Sequence, residues 1–195
     1  MKQKWFFIGV LLVLGFLLVA CGGDGDDGPP VAMEKHEASS FTIERPKDWK
    51  MDSLDMFGVT ILVASTKELE AESFMEADNP GEFFQEAPGV FIMSVPLEMA
   101  EGDTGFSADE LKSLPEEEPD IEVVRQGDVT VGGAKGYELV AKGSIEDLST
   151  GKMGVHIATL ESDAGQMVFM GLSPEKDMDK NLDIFKYMFE SIEFQ

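Results

Sequence analysis

Cysteine is almost absent from this sequence, which contains only Cys21. One thiol cannot form an intramolecular disulfide, so the folded part must be stabilised by its own hydrophobic core. Histidine is also scarce, because His36 and His156 are the only two, and a histidine-rich zinc site is therefore excluded. We find no Gly-x-Ser-x-Gly elbow and no glycine-rich loop followed by Lys-Ser or Lys-Thr. These absences predict a protein that is not an enzyme and that carries no cofactor or metal.

Basic side chains are few as well, with 15 Lys and Arg against 38 Asp and Glu and a formal net charge of -23. Affinity for nucleic acid comes from clustered Lys and Arg that release counterions, and this sequence has no such cluster. Nucleic acid is therefore excluded as a partner, and bare anionic lipid would repel the chain. The acidity itself is typical of a soluble, colloidally stable exported protein.

The N-terminus has the pattern of an export signal. Lys2 and Lys4 precede an apolar run from Trp5 to Ala20, which is shorter than the roughly 20 residues that a membrane-spanning helix needs. The segment 18–21, Leu-Val-Ala-Cys, resembles the bacterial lipobox. That resemblance implies cleavage after residue 20 and attachment of diacylglycerol and acyl chains to Cys21, which together anchor a protein stably. We therefore expect a lipoprotein on the cell membrane that faces the periplasm or the cell exterior.

Residues 21–38 are predicted to be a flexible acidic tether. The stretch 22–30 is Gly-Gly-Asp-Gly-Asp-Asp-Gly-Pro-Pro, which has no apolar side chain to offset the entropy of ordering. Asp24, Asp26 and Asp27 could hold Ca²⁺, but the later ligands of an EF-hand-type loop are missing. The solvated linker is the favoured interpretation.

Residues 39–195 are predicted to form one α+β domain. Strand-like stretches separated by turn signals occur at residues 41–43, 58–65, 90–97, 121–131, 135–142, 153–161 and 167–172. The breaks at Gly132-Gly133, at residues 149–151 and at residues 163–165 predict that the last four strands form an antiparallel meander.

The central strands are apolar at consecutive positions, which predicts a sheet covered on both faces. Helices predicted at residues 67–77 and 108–114 and at the C-terminus would supply this cover. For the terminal helix, Ser173 is the predicted cap and Pro174 the first-turn residue, and apolar side chains recur at steps of three and four from Met178 to Ile192. The fold predicted is an α/β/α sandwich with a mostly antiparallel central sheet of about six or seven strands and a long C-terminal helix.

The opening of the domain, residues 41–49, reads Phe-Thr-Ile-Glu-Arg-Pro-Lys-Asp-Trp. It resembles the F-x-I-x-x-P-x-x-W opening of PsbP-like domains and related bacterial lipoproteins. The turn at residues 133–137, the closing meander and the final helix also lie where that superfamily has its elements. The resemblance covers about residues 38–195 and implies the fold and a non-catalytic binding or scaffold role, but no binding residue can be carried over.

Two other functional classes stay open. Acidic runs such as residues 116–118 could bind a divalent cation or a small ligand, although a solvated loop is favoured. A carboxylate pair of the kind that hydrolyses glycosides is set in space and cannot be excluded from sequence. The methionines are scattered at core-like positions, which favours packing over copper binding, and His156 is interpreted as a satisfied sheet histidine.

A group of aromatic residues is the sequence's predicted place for a partner-binding patch. Phe74, Phe83 and Phe84 flank a break at Asn79-Pro80-Gly81, and packing of these rings against the sheet is the alternative. The leading prediction is a membrane-anchored extracytoplasmic lipoprotein that binds or scaffolds an unknown protein partner.

Overall fold

The structure is a computed structural model that describes residues 28–77, 80–100, 107–118, 120–145 and 151–195. Its main element is an antiparallel sheet of seven strands, with hairpins joining β3 to β4, β6 to β7 and β8 to β9. The strands are β3 Lys50–Met56, β4 Val59–Ser65, β5 Gly89–Pro96, β6 Ile121–Val131, β7 Ala134–Gly143, β8 Met153–Ser162 and β9 Gly165–Pro174. Their order is β3-β4-β5-β9-β8-β7-β6. The predicted meander of the last four strands is confirmed.

Both faces of this sheet are covered, as the apolar central strands predicted. Ile92 and Phe169 point to one core, which Phe185 and Met188 complete from the C-terminal helix. Phe91 and Ile157 point to the opposite core. The α+β sandwich with a seven-stranded antiparallel sheet is thus confirmed.

A second, three-stranded sheet was not predicted. It consists of β1 Met33–Glu37, β2 Phe41–Pro46 and β10 Glu193–Phe194, in the order β1-β2-β10. The strand predicted at residues 41–43 therefore lies in the small sheet and not in the large one. Residues 33–37 were assigned to the tether, and that boundary is wrong because β2 supplies backbone hydrogen bonds that composition alone does not reveal. Residues 1–27, including Cys21, lie outside the described residues, so the leader and the lipid anchor stay predictions.

The C-terminal helix, α3 Met178–Glu190, packs its apolar stripe on the sheet. Ile184, Phe185, Met188 and Phe189 are all buried, as the three- and four-residue spacing predicted. The predicted start was wrong, because β9 continues through Ser173 to Pro174 and a 3-10 turn, Glu175–Asp177, precedes the helix.

The other face is covered by short helices, α1 Ala71–Met75 and α2 Ala108–Glu117, and by a 3-10 helix, Pro80–Phe84. Helix α2 begins at a capping box in which Ser107 and Glu110 bond each other's backbone N–H groups. Helix α1 is shorter than predicted, and the Asp52 carboxylate of β3 accepts a hydrogen bond from its Ala71 N–H at 2.9 Å. That cap comes from a distant strand, so local sequence could not reveal it. In the part of the chain described, no helix is long and apolar enough to cross a membrane.

Candidate functional site

The aromatic residues predicted to form a partner patch separate into buried and exposed members. Phe74 is 4% exposed and Phe84 is fully buried, and their ring centroids lie 5.7 Å apart. Phe74 also stacks on Phe91 of β5 at 4.7 Å. Only Phe83 reaches the surface, with 38% exposure. Two of the three rings therefore pack against the sheet, as the alternative interpretation predicted.

A polar network crosses three strands, from the exposed Arg125 through Glu138 to the buried His156. The Arg125 guanidinium of β6 contacts both carboxylate oxygens of Glu138 on β7, at 2.8 Å from Nε and 3.1 Å from its terminal nitrogen. Glu138 Oε2 lies 3.1 Å from His156 Nε2 on β8. His156 is fully buried between the rings of Phe169 and Phe189, and its Nδ1 has no hydrogen-bond partner.

The electrostatics of this network of Arg125, Glu138 and His156 point to a structural role. Burial lowers the pKa of His156, which outweighs the hydrogen bond to Glu138, so the ring is neutral near neutral pH and donates its Nε2–H. Burial alone would raise the pKa of Glu138, but its bonds to His156 and Arg125 together lower it. Among the described residues no hydroxyl contacts the Nδ1 atom of His156, and the rings of Phe169 and Phe189 pack against the imidazole, so this histidine does not activate a nucleophile there.

A cleft of about 890 Å³ runs between helix α3 and the small sheet. Its polar groups bond mainly to one another: the Tyr187 hydroxyl donates to Glu44 at 2.9 Å, and Lys35 contacts Glu193 at 2.9 Å. The hydrogen bond from Lys35 lowers the pKa of Glu193, and the same bond raises the pKa of Lys35. We interpret this cleft as the seam that joins the small sheet to the helix.

The acidic runs do not converge on a cation. Across residues 28–77, 80–100, 107–118, 120–145 and 151–195, no group of three or more His, Cys, Asp or Glu side chains is placed to hold a metal ion. Asp24, Asp26 and Asp27 lie outside these ranges. The described acids therefore give the cation hypothesis no support.

The remaining candidate is the end of the sheet where its hairpin turns meet, which we call the hairpin rim. The pairs Gly165 with Ser162 and Gly165 with Pro96 put the β8–β9 turn beside the end of β5. Thr60 pairs with Ser94, which puts the β3–β4 turn at the same end of the sheet. Lys135 pairs with Glu161, which puts the β6–β7 turn there as well. Four connections therefore lie on one edge of the molecule.

The β3–β4 turn carries the most exposed large apolar side chain among the described residues. Phe57 is 85% exposed and has φ +55°, and Gly58 after it has φ +86°. Two positive φ angles between the paired residues Met56 and Val59 define a type I′ hairpin turn, which favours Asn-Gly. Phenylalanine at its first position costs about 1 kcal/mol in backbone strain, since a Cβ atom crowds the left-handed conformation.

More apolar side chains adjoin Phe57. A Cβ atom on Gly58 would lie 3.1 Å from the Pro96 ring, so the β3–β4 turn lies directly against the end of β5. The tight turn after Pro96 is closed by hydrogen bonds to its carbonyl from Met99 N at 2.9 Å and from Ala100 N at 3.0 Å. Leu97 is 57% exposed, and Met56 and Met99 are about half exposed. Large exposed apolar groups of this kind mark interaction surfaces.

A groove of about 840 Å³ continues from these residues across the rim. Leu97 and Ala100 line one side, and the Gly132-Gly133 turn and the C-terminal Phe194 line another. Gly132 has φ +56°, and a Cβ there would lie 2.5 Å from the Ile192 carbonyl oxygen. The C-terminal segment can therefore reach the rim only because this residue is glycine.

Sequence analysis did not identify this site. It placed Phe57 outside any element and predicted Leu97 to be the last residue of a strand. The available signal was Met56-Phe57-Gly58, in which a large aromatic residue stands immediately before the glycine of a hairpin turn. No periodicity could show that the turn after Pro96 lies against the β3–β4 turn, because that adjacency depends on the register of β4 and β5.

Solved structures similar to this chain include three with 12–16% sequence identity. A cyanobacterial PsbP from Synechocystis is 16% identical with a TM-score of 0.46, over 90% of this chain and 99% of that chain. LpqN, which is involved in cell envelope biogenesis of Mycobacterium tuberculosis, is 14% identical with a TM-score of 0.46, over 84% and 91%. A Pseudomonas aeruginosa protein of unknown function is 12% identical with a TM-score of 0.44, over 82% and 95%.

No family model matches the chain, and no curated protein matches it.

Proposed function

We propose that this protein is a membrane-anchored extracytoplasmic lipoprotein that binds a protein partner through the hairpin rim and performs no catalysis. The observation that carries the proposal is Phe57, which is 85% exposed in a strained backbone conformation. An exposed aromatic ring at a position that favours asparagine adds nothing to the core, and strain of this kind concentrates at functional surfaces.

The separation between the point where the chain enters the domain and the rim supports a rim that is free to meet a partner. The Ala32 carbonyl accepts a hydrogen bond from Lys47 N at 3.0 Å, so the chain enters the domain beside the start of β3. Phe57 follows the other end of that strand, which is seven residues long and so spans about 20 Å. The tether from Cys21 would therefore enter the domain about 20 Å from the rim, which leaves the rim accessible to a partner.

The anchor is tested by metabolic labelling with a radioactive or alkynyl fatty acid in the native host. We expect the mature protein to be labelled and the Cys21→Ala form to be unlabelled and released from the membrane fraction. Labelling that persists in the Cys21→Ala form would refute the lipobox assignment.

The binding surface is tested by site-specific photo-crosslinking in native membranes. We expect a crosslinker at Leu97 to capture one stoichiometric partner and a crosslinker at Phe83 to capture none. Phe83 is 38% exposed but packs against Phe74, whose ring stacks on Phe91 towards the other end of β5. Co-purification of the same partner should fail for Leu97→Ser and persist for Phe83→Ser. Equal capture at both positions, or co-purification unaffected by Leu97→Ser, would contradict the proposal.

A further inference from the structure

The partner's chemistry can be inferred from the charges around the apolar part of the rim. Four exposed acidic side chains lie beside or within the turns of the rim, namely Asp55, Glu98, Glu161 and Asp163. Glu161 and Asp163 line the groove together with one basic side chain, Lys135, which pairs across the strands with Glu161. These four side chains, which we call the acidic border, therefore flank the apolar residues of the rim along the chain.

Two other occupants of this surface are disfavoured by the same charges. A second copy of the chain would bring an identical acidic border against this one, and like charges across an interface oppose association. An anionic lipid surface would be repelled in the same way. The entry of the chain beside Lys47 also places the tether at the end of β3 opposite Phe57.

We infer that the hairpin rim binds a basic, apolar segment of a partner protein, with an aliphatic or aromatic side chain against Leu97 and Phe57 and with Lys or Arg beside Glu98 and Asp163. This inference rests on the proposed function and specifies the partner at the same site. Apolar contacts supply the affinity, while the acidic border supplies the fast association and the selection against acidic partners.

The test uses the full lipidated protein in nanodiscs of zwitterionic phosphatidylcholine, panned against a phage-displayed library of random peptides. Empty nanodiscs remove lipid and scaffold binders beforehand. We expect enriched peptides to combine apolar residues with Lys or Arg, and to bind the Leu97→Ser protein about tenfold more weakly. Binding to Phe83→Ser should be unchanged, and raising the salt concentration should weaken it.

A charge-reversed protein, Glu98→Lys with Asp163→Lys, provides the sharper test. The same library panned on this variant should enrich Asp and Glu in place of Lys and Arg, because only the border has changed. The inference is overturned if no peptide is enriched, if the enriched peptides are insensitive to Leu97→Ser, or if the charge-reversed protein selects the same sequences.

Failure of this inference is distinguishable from failure of the proposed function. A partner crosslinked at Leu97 in native membranes, together with a library that shows no preference for basic residues, would keep the function and reject the partner chemistry. Basic, apolar peptides that need Leu97, without any crosslinked partner in the membrane, would keep the chemistry and reject the scaffold role.

Discussion

Phe84 and Phe57 are both aromatic residues next to turn-like sequence, yet the fold uses them in opposite ways. Phe84 is fully buried against Phe74 beneath the sheet, whereas Phe57 is 85% exposed at the hairpin rim. Burial of a phenylalanine removes it from water and stabilises the fold, while exposure at a strained position does neither. The difference shows that a cluster of aromatic residues indicates a functional surface only once the fold shows which rings are buried and which are exposed.

The strongest test of this comparison is Phe84→Ala. Removal of a fully buried ring leaves a cavity, so we expect the free energy of unfolding to fall by about 3–5 kcal/mol. Urea unfolding followed by circular dichroism measures the loss. The matched control, Phe83→Ala, should cost less than about 1 kcal/mol because that ring is partly exposed. A similar loss of stability in both variants would contradict the assignment of Phe84 to the core and of Phe83 to the surface.

The buried histidine of the interior should make the stability of the fold depend on pH. The pKa of His156 is lowered in the fold, so below its ordinary value near 6.5 the unfolded chain binds a proton that the folded chain does not. Stability therefore falls as pH drops from about 7 to 5, by at most about 1.4 kcal/mol per pH unit for this group. The lowered pKa of Glu138 adds a loss in the same direction at lower pH, as the folded carboxylate becomes protonated.

The measurement is urea unfolding at pH 7, 6 and 5 for the original protein and for His156→Gln. The variant should show a flatter slope, since glutamine can hydrogen-bond Glu138 but does not titrate. His36 also has a pKa lowered by burial, and it is the only other histidine, so His36→Gln separates its share. If the free energy of unfolding changed with pH as much in His156→Gln as in the original protein, His156 would not be the source of the pH dependence.

The smallest expected effect has the opposite sign and lies at the rim. Phe57→Asn should stabilise the protein by about 0.5–1 kcal/mol, because asparagine adopts the left-handed conformation more easily than phenylalanine. Phe57→Ala is the matched control, since it removes the ring but keeps a residue that is strained at φ +55°. Thermal unfolding of both variants measures the gain. A Phe57→Asn protein less stable than Phe57→Ala would show that the turn is not strained in this way.

Much of the fold could be predicted from local pattern. Strand β6 matches the predicted residues 121–131, and Ile184, Phe185, Met188 and Phe189 line the buried side of α3 as their spacing required. Alternation and helical periodicity are local properties, so a single sequence displays them. The helix start at Met178 was missed because β9 continues to Pro174 by pairing with Met153 of β8, which is a long-range effect.

The candidate site was predictable to a much smaller extent. The sequence drew attention to Phe74, Phe83 and Phe84 because their apolar surface is concentrated in a short stretch. Two of these rings are buried, since strand β5 and the other aromatic side chains lie over them. Leu97 gained its significance only from the register that places the turn after Pro96 against the β3–β4 turn.

The sequence by itself determined the acidic charge, the antiparallel meander and the amphipathic terminal helix, because composition and periodicity act through neighbouring residues. It also contains the whole basis for predicting the lipid anchor at Cys21. Tertiary structure alone decided that β1 joins the folded domain, that His156 lies buried against Glu138, and that four turns form one rim. Each of these depends on contacts between residues distant in the chain, whose free energy is realised only when the strands have paired.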